Sequence, residues 1–501
     1  MAVNHWSRTL KEKKMNAHSI RVSLFPTFVL GIIGVIALIV FFGSQNPVLS
    51  VALAGVLWWS LIGFWRPRVA FFLFLALLPF VDFLKRLQLA FADPSPLEWN
   101  LVLALPDVLL TSAAIGIIFK AIVTGRLTIR IEKADLWLLA FAVSMLVNIV
   151  HSVFPLVVSI AAFKLSGFYI LVYFLAPALI SKQKHLRLWL KMTFLLSIVV
   201  ALYGLWQFAF GMSSFEKKWL ASRYTGLATE TIIYFTFRPF STLNSPQAYA
   251  YYLVIGLICG FAYMRGFISR NNRVIWYIGA LVILVALLLS LVRSAILLLV
   301  LAWALTKVFS NTHRSKYSWK LILLLVLSVV ISLVLILLRF GEVILFKALS
   351  SEIPFVQRAF IAGTLGDRLM GWQGLMTNPA YWTLLGYGLG VTSFTLMSKY
   401  GLSFDLFSHD EYSGILLEQG IIGVFLFFGF VISLSNILYH RLYALEGHSL
   451  RKVGWHLFAL FQSILISGLM GTNLKVTPIN VYLWLMAGLL ARSTMFAPSK
   501  N

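Results

Sequence analysis

Cysteine and charged residues are scarce in this chain of 501 residues. Its one cysteine, Cys259, lies inside an apolar run, which excludes a disulfide framework and a metal site built on cysteines. Only 12% of the residues are charged, whereas a soluble domain carries roughly 25%. The low charge content excludes an ordinary soluble protein.

Several catalytic signatures are also missing. The sequence contains no HExxH zinc motif, no Walker phosphate loop, no GxSxG nucleophile motif and no DxD-type acidic pair. We therefore expect no bound metal and no other cofactor. Lys and Arg (41 residues) outnumber Asp and Glu (17 residues). No basic patch is interleaved with aromatics on a soluble domain, however, so we expect no nucleic-acid partner.

Apolar sequence is abundant: 60% of the residues are hydrophobic, and the mean hydropathy is +0.89. Runs long enough to cross a lipid bilayer recur along the chain. The sequence predicts an all-α, polytopic membrane protein of about 14 transmembrane helices, within a range of 12–14. The predicted spans are 24–42, 46–64, 68–85, 106–123, 135–153, 156–180, 188–209, 246–265, 274–291, 294–309, 320–339, 411–437, 453–471 and 478–493.

The distribution of basic residues predicts the topology. Every second connection between predicted spans carries Lys or Arg, as cytoplasmic connections do. Lys85 and Arg86, at an outer end, are the clearest exception. We predict a cytoplasmic segment 1–23, a membrane domain 24–493 and a cytoplasmic tail 494–501. The membrane domain includes two long extracytoplasmic loops, 211–246 and 340–410, and loops of that length are usually functional.

Several arginines lie on the predicted outer face, although long translocated loops escape the positive-inside rule, so that Arg223 and Arg358 could be ordinary loop residues. Arg223, Arg238, Arg358 and Arg368 lie in the two long loops. Arg293 lies at a break between two very apolar spans, where an ionisable residue is costly and by default functional. Lys164, within the sixth predicted span, is a weaker candidate because lysine can extend its ammonium group to the interface.

One histidine is placed in a long outer loop, at the start of an apolar helix. The spacing Ser408-x-x-Glu411 predicts a capping box at this start. The partial positive charge of a helix N-terminus disfavours imidazolium and attracts anions. His409 could therefore act as a neutral general base beside an anion site. The alternative is an interfacial histidine without a catalytic role.

Guanidinium groups beside a neutral histidine are suited to transfer of a group from a diphosphate to a hydroxyl. Arginine binds phosphate through two parallel hydrogen bonds. Several arginines could neutralise a leaving diphosphate without a metal, while the histidine deprotonates an acceptor hydroxyl. Because ATP is absent outside the cytoplasm, an activated lipid donor is the natural energy source. These residues predict a lipid-linked diphosphate substrate.

Four blocks of the chain resemble the O-antigen ligase and O-antigen polymerase superfamily of bacterial membrane glycosyltransferases. The blocks read RPFSTLNSP, LVRSAILLLVLAW, GDRLMGWQGLMTNPAYWTLLGYGLG and SHDEYSGILLEQGIIG, in that order. Their matching residues are Arg238, Asn244 and Pro246; Arg293, Ser294 and Ala295; Arg368, Trp372, Gly386, Gly388 and Gly390; and His409, Tyr412, Glu418, Gly420 and Gly423.

The resemblance implies a GT-C-like fold and a metal-independent, inverting glycosyltransferase. Its donor would be a glycan on undecaprenyl diphosphate, and its acceptor a glycolipid or polysaccharide. Arg238, Arg293 and Arg368 would bind the diphosphate and His409 would activate the acceptor, with Glu411, Tyr412, Glu418 and Lys164 in support. The protein would lie in the bacterial inner membrane with its active site facing the periplasm or outside, and would act in lipopolysaccharide or polysaccharide biosynthesis.

Three positions depart from the family pattern. Asp410 follows the histidine where Asn is more usual, and an adjacent carboxylate favours imidazolium. Ser241 stands where the family usually has Gly, and Val292 where it has Ser. The sequence leaves three functions open: a ligase that transfers a whole glycan, a polymerase that joins lipid-linked repeat units, and a lipid-linked glycan flippase or exporter. A transporter should show an internal repeat and broken spans with polar residues at mid-depth. The sequence shows no repeat at a fixed period, and its polar residues are concentrated in the predicted outer segments.

Overall fold

The structure is a computed structural model. Two predicted spans, 24–42 and 320–339, and the site candidates His409 and Arg368 lie outside the described residues. The described residues are 47–91, 96–124, 131–221, 232–233, 236–311, 372, 374–375, 377–393, 410–445 and 448–492.

The described residues form two compact units, divided near residue 128. The first unit contains α1 (Pro47–Trp65), α2 (Pro67–Leu77), α3 (Val81–Phe91) and α4 (Pro96–Thr124). Small residues let α1 and α4 approach closely, as in other membrane helix pairs. A Cβ on Gly63 would lie only 1.7 Å from Ser112 Oγ.

The basic pair at the end of the predicted third span is paired within its own helix. Lys85 Nζ lies 2.5 Å from Asp82 Oδ1. Arg86 is fully buried, and its Nε donates to the carbonyl of Asp82 at 3.2 Å. Burial and local pairing explain how this exception to the charge rule is accommodated.

The second unit contains eleven α-helices among its described residues, together with one short hairpin. The hairpin pairs β1 (Ile232–Ile233) with β2 (Thr236–Phe237). The helices are α5 (Lys133–Val150), α6 (Leu156–Ser166), α7 (Leu171–Leu179), α8 (Gln183–Phe210), α9 (Ser214–Leu220), α10 (Pro246–Phe267), α11 (Val274–Leu289), α12 (Arg293–Asn311), α13 (Glu411–Ala444), α14 (His448–Ser467) and α15 (Ile479–Arg492).

Nine helical stretches within the described residues are long and apolar enough to cross a membrane. In the most apolar 18 residues of Pro246–Phe267 and of Ser449–Met470, 78% and 83% of the residues are buried, whereas the figure for Asn271–Leu289 is only 28%. The first two therefore form the centre of the second unit. The apolar side chains exposed on its outer helices suit the hydrocarbon of a lipid bilayer, so the chain is a polytopic membrane protein.

Polar contacts lie at both ends of the second unit. At one end, Arg441 Nη2 lies 2.7 Å from Glu132 Oε1, and Arg492 Nη1 lies 2.6 Å from Asp135 Oδ2. At the other end, Asn148 accepts from the amide of Leu389 through its carbonyl. The first end collects residues predicted to be cytoplasmic, and the second collects residues predicted to be outside. Which compartment each end faces stays a prediction.

Candidate functional site

The central feature of the candidate site is a break in helix α13 at Gly420. Its φ of 68° and ψ of −166° interrupt the helical backbone. The amides and carbonyls released by the break bond to residues 383–393, which we call the strap. Four backbone hydrogen bonds join them: Tyr387 N to Leu417 O (2.8 Å), Gly388 N to Glu418 O (3.2 Å), Ile421 N to Thr383 O (3.0 Å) and Ile422 N to Leu384 O (3.2 Å).

Glycines make this docking possible on both sides. A Cβ on Gly420 would lie 2.3 Å from the carbonyl oxygen of Leu384, and a Cβ on Gly386 would lie 2.5 Å from the carbonyl carbon of Glu418. Gly386 and Gly388 have φ values of 77° and 99°, in the left-handed region that side chains disfavour. The Gly-x-Gly segment and the Glu-x-Gly segment, far apart in sequence, are therefore two halves of one packed structure.

Glu418, predicted as a supporting residue, lies at this break and pairs with a lysine. Its Oε1 lies 2.8 Å from Lys475 Nζ. The same oxygen accepts from Thr392 Oγ1 at 2.8 Å and from the amide of Gly390 at 3.2 Å. Lys475 Nζ also donates to Thr392 Oγ1 at 2.7 Å. Since Glu418 is only 2% exposed, these partners compensate the cost of burying its charge.

Helix α13 begins at Glu411 as predicted, but the predicted capping box is wrong. Asp410 is the N-cap, and its Oδ1 accepts from the amides of Tyr412 (3.1 Å) and Ser413 (2.9 Å). Asp410 Oδ2 accepts from Ser413 Oγ as well. Asp410 caps the helix because its carboxylate can accept hydrogen bonds from two amides of the first turn. Asp410, which stands where the resembled superfamily more often has Asn, thus has a structural role in starting the helix.

Glu411 and Tyr412 both point from α13 toward the end of α14. The Glu411 carboxylate is buried, and its Oε2 accepts from the amide of Leu474 at 2.8 Å. Tyr412 donates from its hydroxyl to the carbonyl of Leu465 at 2.5 Å. Its ring stacks on Phe428, with centroids 5.3 Å apart. Both side chains therefore fix the first turn of α13.

A small cavity separates the two buried carboxylates. Glu411, Glu418 and Lys475 line it together with apolar side chains such as Phe141 and Trp484. The space is about the size of one water molecule. It is much too small for a sugar or a lipid headgroup. The charged side chains of this cluster bond to the strap and to the turn that precedes α15.

A second polar cluster joins helix α8 to Phe240 and Ser241, which follow Arg238 by two and three residues. Gln207 Oε1 accepts from the amides of Phe240 (3.2 Å) and Ser241 (2.6 Å), and Gln207 Nε2 donates to Glu216 Oε1 at 2.5 Å. Ser241 has a φ of 53°. Ser241, which stands where the resembled superfamily usually has Gly, is thus in the left-handed region, and its Oγ donates to the carbonyl of Val200 at 2.6 Å.

The other described candidates lie on different elements. Arg293 is exposed and begins α12, directly after the break predicted from the sequence, where Leu291 has a φ of 57°. Lys164 is half-buried in α6. The structure gathers Glu411, Tyr412 and Glu418 around the start of α13. Among the described residues, no group of three metal-binding side chains comes together.

Sequence reasoning missed Lys475, Thr392 and Gln207. A signal for Lys475 was present, because a lysine in the short connection 471–478, predicted to be outside, is an exception to the charge rule. Gln207, near the end of a predicted span, also had a signal, since a buried amide needs several partners. Thr392 had none, because its role depends on where the strap docks.

No protein-family model matches this chain, and no curated protein is significantly similar to it.

Proposed function

We propose that this membrane protein is a glycosyltransferase that resembles the O-antigen ligases. It would move a glycan from undecaprenyl diphosphate to a hydroxyl of a surface glycolipid or polysaccharide. The observation that carries the proposal is the docking of the 386–390 segment onto helix α13 at Gly420. Two of the four blocks that carry the resemblance are thereby one structure, and His409 directly precedes the cap of its helix.

The proposed reaction is a single displacement at the anomeric carbon of the donor glycan. The acceptor oxygen forms a bond to that carbon while the bond to the diphosphate oxygen breaks. The acceptor proton passes to His409, and undecaprenyl diphosphate leaves with the bonding electrons. Arg238, Arg293 and Arg368 neutralise the charge that develops on the leaving group. The helix start beside His409 is fixed by Asp410 and Glu411, as a precisely positioned base requires.

The acceptor decides between two forms of this reaction. A ligase would accept a different molecule, such as a glycolipid, and would make one product. A polymerase would use a second lipid-linked repeat unit and would make a ladder of products. Because both enzymes share these motifs, the choice between them depends on which acceptor supports transfer.

A specific observation also favours the transporter alternative. Broken membrane helices with polar residues at the break are typical of transporters, and α13 is broken at Gly420 with the Glu418–Lys475 pair beside it. The strap, however, fills the break and satisfies its backbone groups. We therefore place a lipid-linked glycan flippase second.

Reconstitution of the purified protein in vesicles tests these functions. The vesicles contain an undecaprenyl-diphosphate glycan and one candidate acceptor at a time. We expect transfer by the native protein and none by His409→Ala or Arg293→Ala. The control is His440→Ala, because His440 is exposed and lies near the far end of the same helix. Normal transfer by His409→Ala would refute the catalytic role, and movement of the lipid without bond formation would favour the flippase.

A further inference from the structure

Three apolar side chains are exposed at the start of the strap. Trp382, Leu384 and Leu385 are 51%, 66% and 38% exposed, and we call these three residues the tip. They belong to a segment that the sequence predicts to be an extracytoplasmic loop. In water, their uncovered apolar surface would cost about 25 cal/mol per Å² relative to burial. The exposure of three large apolar side chains within four residues therefore indicates an apolar partner.

The polar groups around the tip are bonded within the protein. The carbonyls of Thr383 and Leu384 accept from amides of α13 at 3.0 and 3.2 Å. Thr383 Oγ1 accepts from the amide of Gly386 at 2.9 Å, and Trp382 Nε1 donates to the carbonyl of Leu375 at 2.8 Å. A non-helical backbone can enter a bilayer only where protein groups satisfy it. These hydrogen bonds provide such partners at the tip.

Helix α13 continues the apolar surface of the tip. Its exposed apolar residues after the break include Ile421, Phe425, Phe428 and Ile432, which are 40%, 63%, 40% and 61% exposed. Their helical spacing places them on one side of the helix. Because α13 is long and apolar enough to cross a membrane, this side faces lipid. The amide of Ile421 bonds to the carbonyl of Thr383, so the tip adjoins the first residue of the lipid-facing side.

The length of α13 places the tip near one boundary of the bilayer. At the opposite end of the helix, His440 is exposed and Arg441 pairs with Glu132. From Ile421 to His440 the helix is about 29 Å long at a rise of about 1.5 Å per residue, and the hydrocarbon core of a bilayer is about 30 Å thick. Tryptophan is enriched at the boundary between hydrocarbon and headgroups, and Trp382 suits that position.

We propose that the tip is inserted into the bilayer, where Trp382, Leu384 and Leu385 contact lipid beside α13 at the boundary of the hydrocarbon. The partner is lipid because the lipid-facing side of α13 continues directly onto the tip. This anchoring places the break and the Glu418–Lys475 pair near the headgroups, whereas transporters bind their substrates near mid-depth. Insertion of the tip does not require that the protein transfer a glycan.

A spin label on an introduced cysteine tests the insertion. The chain has one cysteine, Cys259, which is buried, so a maleimide spin label should attach selectively to an exposed new cysteine. Leu384→Cys carries the label at the tip. The protein is reconstituted in vesicles of phosphatidylethanolamine and phosphatidylglycerol. Collision of the label with molecular oxygen, which concentrates in hydrocarbon, is compared with its collision with a water-soluble nickel chelate.

Two matched variants give the reference values. Ile432→Cys carries the label on the lipid-facing side of α13, far from the break. Asn272→Cys carries it on an exposed residue in the connection between α10 and α11. We expect the oxygen-to-nickel collision ratio at position 384 to be several-fold higher than at 272, because hydrocarbon excludes the polar chelate. The ratio should be lower than at 432, because the tip lies at the boundary.

A ratio at 384 equal to that at 272 would overturn the proposal, because the tip would then lie in water. Infrequent collision with both reagents would also overturn it, since protein, such as a second copy of the chain, would then cover the tip. A ratio at least as high as at 432 would contradict the boundary position. If Leu384→Cys does not fold, Leu385→Cys carries the label, with the same expected ratio and the same contradicting outcomes.

Discussion

Gly420 packs against the carbonyl of Leu384 so closely that a Cβ at position 420 would lie 2.3 Å from that oxygen. Within a membrane, a helix can be broken only where other groups satisfy its released amides and carbonyls. The strap provides these groups, and it can approach because glycine lacks a side chain. The Gly420–Leu384 contact therefore explains why a glycine occupies the middle of an otherwise strongly helical sequence.

Replacing Gly420 by Ala should destabilise the protein severely. The new methyl group meets backbone atoms that cannot move aside, and the φ of 68° is unfavourable for Ala. We expect a loss of about 3 kcal/mol or more in the free energy of unfolding. Thermal unfolding in detergent measures it. Gly55→Ala is the control, because a Cβ at position 55 meets only Trp59 Cδ1, at 4.0 Å. A native-like melting temperature for Gly420→Ala would contradict the steric role of Gly420.

Asp410 can be tested by two substitutions with different outcomes. Asp410→Ala removes the cap and should cost about 1 kcal/mol of stability. Asp410→Asn keeps a cap and removes only the negative charge, so stability should change little. A neighbouring negative charge favours imidazolium. Its removal should therefore move the acidic limb of the pH profile of kcat/KM to lower pH; an unshifted limb would argue against His409 as the base.

Gln207 should control the position of Arg238. Gln207→Leu removes the acceptor of the Phe240 and Ser241 amides and a donor to buried Glu216. Unsatisfied buried groups cost about 1–3 kcal/mol each, so the segment should shift. We expect a higher KM for the lipid donor, measured in the transfer assay.

The two arginines of the first loop should differ in importance. Arg238→Ala should reduce transfer more than Arg223→Ala, because we assign Arg238 and not Arg223 to the diphosphate. The two variants are compared by their initial rates of glycan transfer, measured at limiting donor concentration. Equal losses would mean that both arginines contact the donor.

The Arg492–Asp135 pair should contribute to stability and not to transfer. Asp135 is 1% exposed and also accepts from the Tyr173 hydroxyl at 2.6 Å. Arg492→Met leaves this carboxylate without its cation, which costs about 3–5 kcal/mol. Tyr173→Phe removes one hydrogen bond to a charged group and should cost about 2 kcal/mol. Thermal unfolding should show a larger loss of stability for Arg492→Met than for Tyr173→Phe. The kcat per folded molecule should stay unchanged in both variants.

Much of the fold was predictable from local sequence. Among the described residues, helices occupy the positions of the predicted spans, and the predicted break at Arg293 coincides with the start of α12. The length of an apolar run, and the interruptions in that run, decide where a membrane helix begins and ends. The cap of α13 was mispredicted because Ser408 and Asp410 are both good cap residues, and spacing alone favoured the wrong one.

The sequence by itself determined a membrane protein of many helices and marked 386–390 and 411–423 as unusual segments. Only the tertiary structure decided that these segments dock around Gly420. It also decided that Lys475 pairs with Glu418 and that Glu411 bonds to Leu474. The physical reason is that hydropathy acts over a few consecutive residues, whereas an ion pair or a close glycine contact depends on where distant segments meet.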